Sequence, residues 1–164
     1  MFNQKLNKQK GFTLIEILVV IGMIAILATI VLIAINPARQ FAQGRNSQRT
    51  SNVNAILNAI GQRIVDNKGS FPAATGCVAP TVNTTYTIGI GSGTFVSPAT
   101  ALIDMSCLTP TYIPSQLPAD PSGTGVWTSA TVYNTNYNVT LDSNGRYTVS
   151  APNAELGQTI SVAR

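Results

Sequence analysis

One carboxylate stands where carboxylates are rare. Glu16 interrupts KGFTLIEILVVIGMIAILATIVLIAINP, residues 10–37, a segment otherwise suited to lipid. A charged side chain at a bilayer centre costs about 2.5–3.5 kcal/mol on insertion scales, and such groups usually pair. No basic residue lies between Gly11 and Arg39, so the span itself offers Glu16 no counter-charge. Two states satisfy the chemistry: Glu16 is protonated and passive, or its partner comes from another molecule. A cut after Gly11 would create such a partner, a free amine on Phe12. A neighbouring helix displaced along its axis would then set that amine against Glu16. The pair would cancel two charges in an apolar core and fix the axial register.

Other reactive constellations are sparse. The chain has no histidine, which removes the usual triad base and the commonest metal ligand. Its two cysteines, Cys77 and Cys107, cannot make an ordinary four-ligand zinc site without histidine. They lie on the outer side of the expected span, where disulfides persist. One bridge would close a loop of about 30 residues and contribute about 3–4 kcal/mol in the chain-entropy model. The alternative is two free buried thiols; the compartment favours the bridge.

The elements that must carry these residues follow from patterning. Phe12 to Ile35 is 24 residues long, with Thr13, Glu16 and Thr29 as its clearly polar members. That length crosses a hydrocarbon core of about 30 Å. Lys5, Lys8 and Lys10 precede it with no accompanying acid, which keeps that flank cytoplasmic and places the rest outside. The net charge of +4 is therefore local: without residues 1–11 the chain has 7 basic and 6 acidic residues, or +1. This is no nucleic-acid signature, and no nucleic-acid partner is assigned. Arg39, Arg45, Arg49 and Arg63 form a modest basic stripe, read as a solvated helix face or a headgroup contact.

Asn36-Pro37 interrupts the helix, either as a kink or as a short break in which Asn36 caps a new helix whose first position is Pro37. The new helix is expected to reach Asp66. Val53, Ile56, Leu57, Ile60 and Ile64 share one face, and Asn52, Gln62, Arg63 and Asp66 are placed on the opposite one. Asn67-Lys68-Gly69 supplies the stop. Residues 71–164 hold only six charges, and their Thr, Val and Tyr favour strands. YNVTLDSNGRYTVSA reads as a hairpin, with Asp142-Ser143-Asn144-Gly145 as its turn. Residues 84–90, 125–131 and 160–162 are further strand candidates, and Pro80, Pro98, Pro110, Pro114, Pro118 and Pro121 fix irregular connections. The expected partner of this antiparallel sheet is the Val53–Ile64 stripe.

Lys10-Gly11-Phe12-Thr13-Leu14-Ile15-Glu16, followed by about twenty apolar residues, resembles the class III leader of type IV pilins and type II secretion pseudopilins. The resemblance implies a prepilin peptidase that cuts after Gly11 and methylates the new amine of Phe12. It makes Glu16 the fifth mature residue, the family's glutamate. It implies an α+β fold, a long N-terminal helix whose second half packs on an antiparallel sheet. The organisation is then leader 1–11, membrane and filament-core helix 12–35, amphipathic helix 36–69 and sheet head 70–164. The implied partners are copies of the chain in a helical filament, the peptidase and methyltransferase, an inner-membrane assembly platform, and lipid before assembly. No cofactor and no metal are implied. The protein would be a single-pass inner-membrane precursor and then a surface filament.

The sequence also departs from that family. Many members carry a proline near the twenty-second mature residue; here that position is Ile33, and Pro37 follows four residues later. Many close a C-terminal disulfide loop, whereas Cys77 and Cys107 lie earlier. Leu117-Pro118-Ala119-Asp120-Pro121 resembles the calcium loop of major pseudopilins, but Asp120 and Asp142 are the only acids to nominate, and a simple turn is the preferred reading. Asn83 and Asn138 head Asn-x-Thr triplets, read as chance in a Thr-rich chain. Alternatives to a pilin are a pseudopilin of a secretion or DNA-uptake system and a signal-anchored extracytoplasmic binding module. An enzyme has no triad or paired-carboxylate arrangement to support it.

Overall fold

The computed structural model describes residues 11–75, 77–91, 99 and 101–164. Lys5, Lys8 and Lys10, the rest of the expected leader before Gly11, and Pro98 lie outside the described residues. The chain divides into two compact units, Met1–Gln40 and Phe41–Arg164.

The first unit is organised by helix α1, Leu14–Ile35, which has no buried residue. Its 22 residues make it about 33 Å long, enough to cross a bilayer. Thr29 fits an apolar helix because its hydroxyl donates to the Ala25 carbonyl at 2.8 Å. The helix stops at Asn36, whose φ of 44° is left-handed, a conformation that asparagine tolerates better than most residues. Asn36 Oδ1 then accepts from the Arg39 amide at 3.3 Å and caps helix α2, Pro37–Asp66. Proline at the first helical position loses no bond, because that amide would be unpaired anyway.

In the second unit α2 buries Val53, Ile56, Leu57, Ala59 and Ile60, with Ile64 packed against the same core. Lys68 and Gly69 both take positive φ, and the Gly69 amide closes on the Ile64 carbonyl at 2.8 Å, a C-terminal stop of the Schellman type. Gln62 and Asp66 are exposed as expected. Asn52 and Arg63 are not. Asn52 sits at the edge of the buried stripe, and its amide donates to the Tyr137 hydroxyl at 2.9 Å and the Ala119 carbonyl at 3.3 Å. Arg63 is half-buried, with its guanidinium 5.3 Å from the centre of the Phe71 ring. Long cationic side chains cover apolar surface with their stems, so charge alone misplaces them.

Six strands form one sheet: β1 Thr85–Ile90, β2 Ala101–Ile103, β3 Val126–Ser129, β4 Val132–Leu141, β5 Tyr147–Ala151 and β6 Ile160–Ala163. Their order is β2-β1-β4-β5-β6, with β3 also on β4. β1 takes one edge of β4, and β3 and β5 divide the other, at residues 132–134 and 138–141. The expected hairpin is present, with Leu141 opposite Tyr147 and Gly145 at φ 81°. The sheet is not wholly antiparallel, because β2 pairs parallel to β1. β2 has three residues, too few for a period-two signal to emerge from sequence. Residues 125–131 are less than a full strand, since β3 ends at Ser129 and turns into β4.

A bulge shapes β4. Thr87 faces Asn138 and Gly89 faces Asn134, so Thr135, Asn136 and Tyr137 stand opposite Ile88 alone. Asn136 takes φ 57° to allow it. A Cβ at Gly89 would lie 2.9 Å from the Tyr133 carbonyl, which requires glycine there. The core joins α2 to Ile88, Met105, Leu108, Leu117, Tyr137, Val139 and Val149, all buried. Asn138 is fully buried and receives the Thr87 hydroxyl at 2.9 Å. Cys77 and Cys107 are joined, with 5.3 Å between their Cα atoms, which fastens the segment after α2 to the turn after β2.

Ile60→Ala should cost about 2–5 kcal/mol, because a fully buried aliphatic leaves a cavity. Denaturant melts of the variant check this. Mass spectrometry after alkylation should find both thiols protected until reductant is added; labelling without reductant would contradict the bridge.

Candidate functional site

The residues singled out for chemistry fall into two separate places. Gly11, Phe12, Thr13 and Glu16 lie together at the start of α1. Cys77 and Cys107 lie in the sheet unit. Gly11 and Phe12 precede the helix and are exposed, Phe12 at 79%. A Cβ at Gly11 would meet nothing within 4 Å, so the fold itself places no demand for glycine there.

Thr13 sets where the helix begins. Its backbone is extended (φ −81°, ψ 152°), and its Oγ1 accepts from the Glu16 amide at 3.2 Å. That bond satisfies one of the amides that a helix start leaves unpaired. Threonine three residues before glutamate is the capping-box spacing, a signal visible in the sequence itself. Glu16 therefore occupies the first turn, where the positive end of the helix dipole favours a carboxylate. Among the described residues no cation pairs with its side chain.

The second unit contains a charge cluster that composition concealed. Arg49 is not on a solvated face: its side chain is 1% exposed. Its Nε and Nη2 donate to the two Asp120 oxygens at 2.8 and 3.1 Å. Its Nη1 donates to Glu155 Oε2 at 2.8 Å and to Asn46 Oδ1 at 2.9 Å. Arg45 grips the same Glu155 through two bonds, at 2.7 and 2.6 Å. Asn46 reads the Glu155 backbone on both sides, accepting from its amide at 3.0 Å and donating to its carbonyl at 2.8 Å. Only Arg39 of this group is exposed as the basic stripe implied. The signal was present in the spacing. Ala42, Asn46, Arg49, Val53 and Ile56 continue one helical stripe, and a polar residue on such a stripe is one that must be partnered.

Asp120 is equally committed. Its amide donates to the Thr135 carbonyl of the β4 bulge at 2.9 Å, and its carboxylate accepts from the Ser122 amide at 2.9 Å and the Ser122 hydroxyl. A Cβ at Gly125 would lie 2.7 Å from the Asp120 amide, so the loop closes only on glycine. Burial pushes the Asp120 carboxyl up, but the bonds from Arg49 and Ser122 outweigh it and hold it below its usual value. The bonds from Arg45 and Arg49 hold Glu155 down to about 2. The bond to Asp120 in turn raises Arg49 above its already high value. Asp142, the other acid considered for calcium, pairs with Arg146 at 3.0 Å. Among the described residues no three His, Cys, Asp or Glu side chains gather as a metal site. The cluster is suited to holding loops against α2.

With this geometry in place, the comparisons bear on the first site. Residues 6–32 match the family model of the prokaryotic N-terminal methylation motif, a motif characteristic of type IV pilins and pseudopilins. No curated protein and no solved structure matches the chain. The α+β architecture, an apolar N-terminal helix followed by a helix and a mainly antiparallel sheet, is type IV pilin-like.

Asp120→Ala should cost about 3–5 kcal/mol, since it strands a buried guanidinium. Both cluster carboxyls titrate below their unfolded values. Their stabilisation is therefore complete above the ordinary carboxylate range and is lost as pH falls through the folded values. The melting temperature should hold down to roughly pH 4.5 and then fall. Glu155→Gln should flatten part of that fall; an unchanged profile would remove Glu155 from the account.

Proposed function

We propose that this chain is a prepilin, a structural subunit cleaved after Gly11, methylated on the Phe12 amine and polymerised into a pilus-like surface filament. The observation that carries the reading is the methylation motif matched over residues 6–32, which contains Gly11, Phe12 and Glu16 in one stretch. Residues 1–11 are the leader, 12–35 the membrane and filament-core helix, 36–69 the amphipathic helix and 70–164 the head. Before assembly the chain is anchored in the inner membrane by α1, with its N-terminus cytoplasmic. The peptidase and an assembly platform act there.

The physical support is direct. α1 has no buried residue, so its apolar surface needs lipid or other helices. Contacts that repeat head to tail without closing give open filaments. No basic residue between Gly11 and Arg39 can meet Glu16, and the Phe12 amine of a displaced neighbour would supply a counter-charge. The exposed Phe12 and the open space at Gly11 suit access by a peptidase. A pseudopilin shares all of this. The few charges after residue 70, on a surface rich in Thr, Ser and Asn, favour a pilin.

The deciding measurement is the intact mass and N-terminal sequence of protein sheared from cells. A chain beginning at Phe12 with one added methyl, recovered in fibres, is expected; a membrane-bound chain that keeps Met1 would favour a signal-anchored module instead. Gly11→Leu should abolish cleavage without disturbing the fold. Glu16→Ala should be cleaved normally yet yield few filaments; wild-type filament yield would remove the register role of the carboxylate.

A further inference from the structure

Two apolar side chains of the second unit stand out in solvent. Phe41 is 68% exposed and Val65 77%, the most exposed large apolar residues among those described in that unit. They lie near opposite ends of α2. Val65 borders a groove of about 590 Å³ lined by apolar Leu57, Ile60, Ile64 and Tyr147, by Gly61, and by the polar side chains of Asn58, Gln62, Asp66 and Arg164. Gly61 is the unexpected member. Glycine is unfavourable in a helix interior, Gly61 has ordinary helical backbone, and a Cβ there would meet nothing within 4 Å. Nothing described within the chain requires it, whereas a side chain entering from outside would find room above it.

We propose that Phe41 of one copy docks in this groove of the next, so that α2 carries a knob near its start and a hole near its end. The proposal rests on the filament reading and specifies one of its contacts. Phe41 and Gly61 are 20 residues apart, about 30 Å along the helix and about 200° around it. They therefore occupy opposite flanks of α2, with the Val53, Ile56 and Ile60 face between them reserved for the sheet. Knob and hole cannot meet within one copy. Two parallel copies displaced by about 30 Å bring one knob to one hole and leave the other knob and hole free. That contact is heterologous and does not close, so it propagates. An aromatic ring in an apolar pocket is the usual form of a dominant interface anchor. A bilayer surface could take Phe41 alone but would leave the Val65 groove unfilled; a second copy covers both.

The test is a Phe41→Cys/Gly61→Cys double variant of the full chain. The two positions are 20 residues apart, about 30 Å on one helix, so no bridge can form within a copy, whereas the proposed displacement sets them side by side. Mild oxidation of sheared filaments should give a ladder of dimers, trimers and higher species on a non-reducing gel, with monomers from either single variant. Filaments of the double variant that yield only monomers would overturn the docking while leaving the filament reading intact. Gly61→Leu fills the hole and serves where the cysteine pair itself blocks assembly. It should cut filament yield about tenfold or more with a melting temperature unchanged or raised; full yield would overturn the proposal. If the unmodified chain forms no filaments, both this proposal and the reading beneath it fall.

Discussion

A guanidinium removed from water has to be met by counter-charge and hydrogen-bond acceptors, or the fold around it does not form. Arg49 imposes that condition on the whole second unit. It projects from α2 and is met by Asp120 from the loop before β3 and by Glu155 from the loop before β6. Both loops lack regular structure of their own, and each is held where Arg49 needs it. The Asp120 loop is tied to the β4 bulge through Thr135, and the Glu155 loop to α2 through Asn46. The bulge, the close approach at Gly125 and the left-handed Asn136 make sense as conditions for bringing Asp120 under α2. A buried ion pair is weak evidence for net stability. Its clearer effect is to make one arrangement of these loops far better than any other.

The two units answer opposite solvent problems. The second covers its apolar stripe with a sheet and neutralises its buried charge internally. The first covers nothing: α1 is apolar on every side, as expected of a helix whose surroundings come from lipid or other chains. Glu16 belongs to that second kind of solution. Its backbone is satisfied locally by Thr13, while its side chain has no cation to meet among the described residues. The same sequence thus meets one buried charge within itself and leaves the Glu16 carboxylate without a cation among the described residues.

Helices were legible in the sequence because their signals are local and redundant. Asn36-Pro37 marks one boundary by capping chemistry and Lys68-Gly69 another by backbone freedom, and the stripe from Val53 to Ile64 repeats over three turns. The hairpin around Asn144-Gly145 was legible for the same reason. β2 was not, because three residues carry no period and its pairing with β1 depends on a connection rather than on its own composition. The leader motif was legible because its residues are contiguous. The Arg49 cluster was misread because its partners lie 71 and 106 residues away. Charge says only that a residue can be solvated. That Arg49 falls in the frame of Val53 and Ile56 was the available clue.

That separation sets a schedule for the protein's birth. Arg49 leaves the ribosome 106 residues before Glu155, a gap of about 5–20 s at ordinary elongation rates of roughly 5–20 residues per second. Until Asp120 follows, 71 residues on, the emerging chain holds a cation with neither of its buried partners. Glu155 then completes the clasp. A chain that stops before Glu155 would hold Arg49 with Asp120 alone. The head therefore reaches its full pairing of buried charge only after both loops have been made.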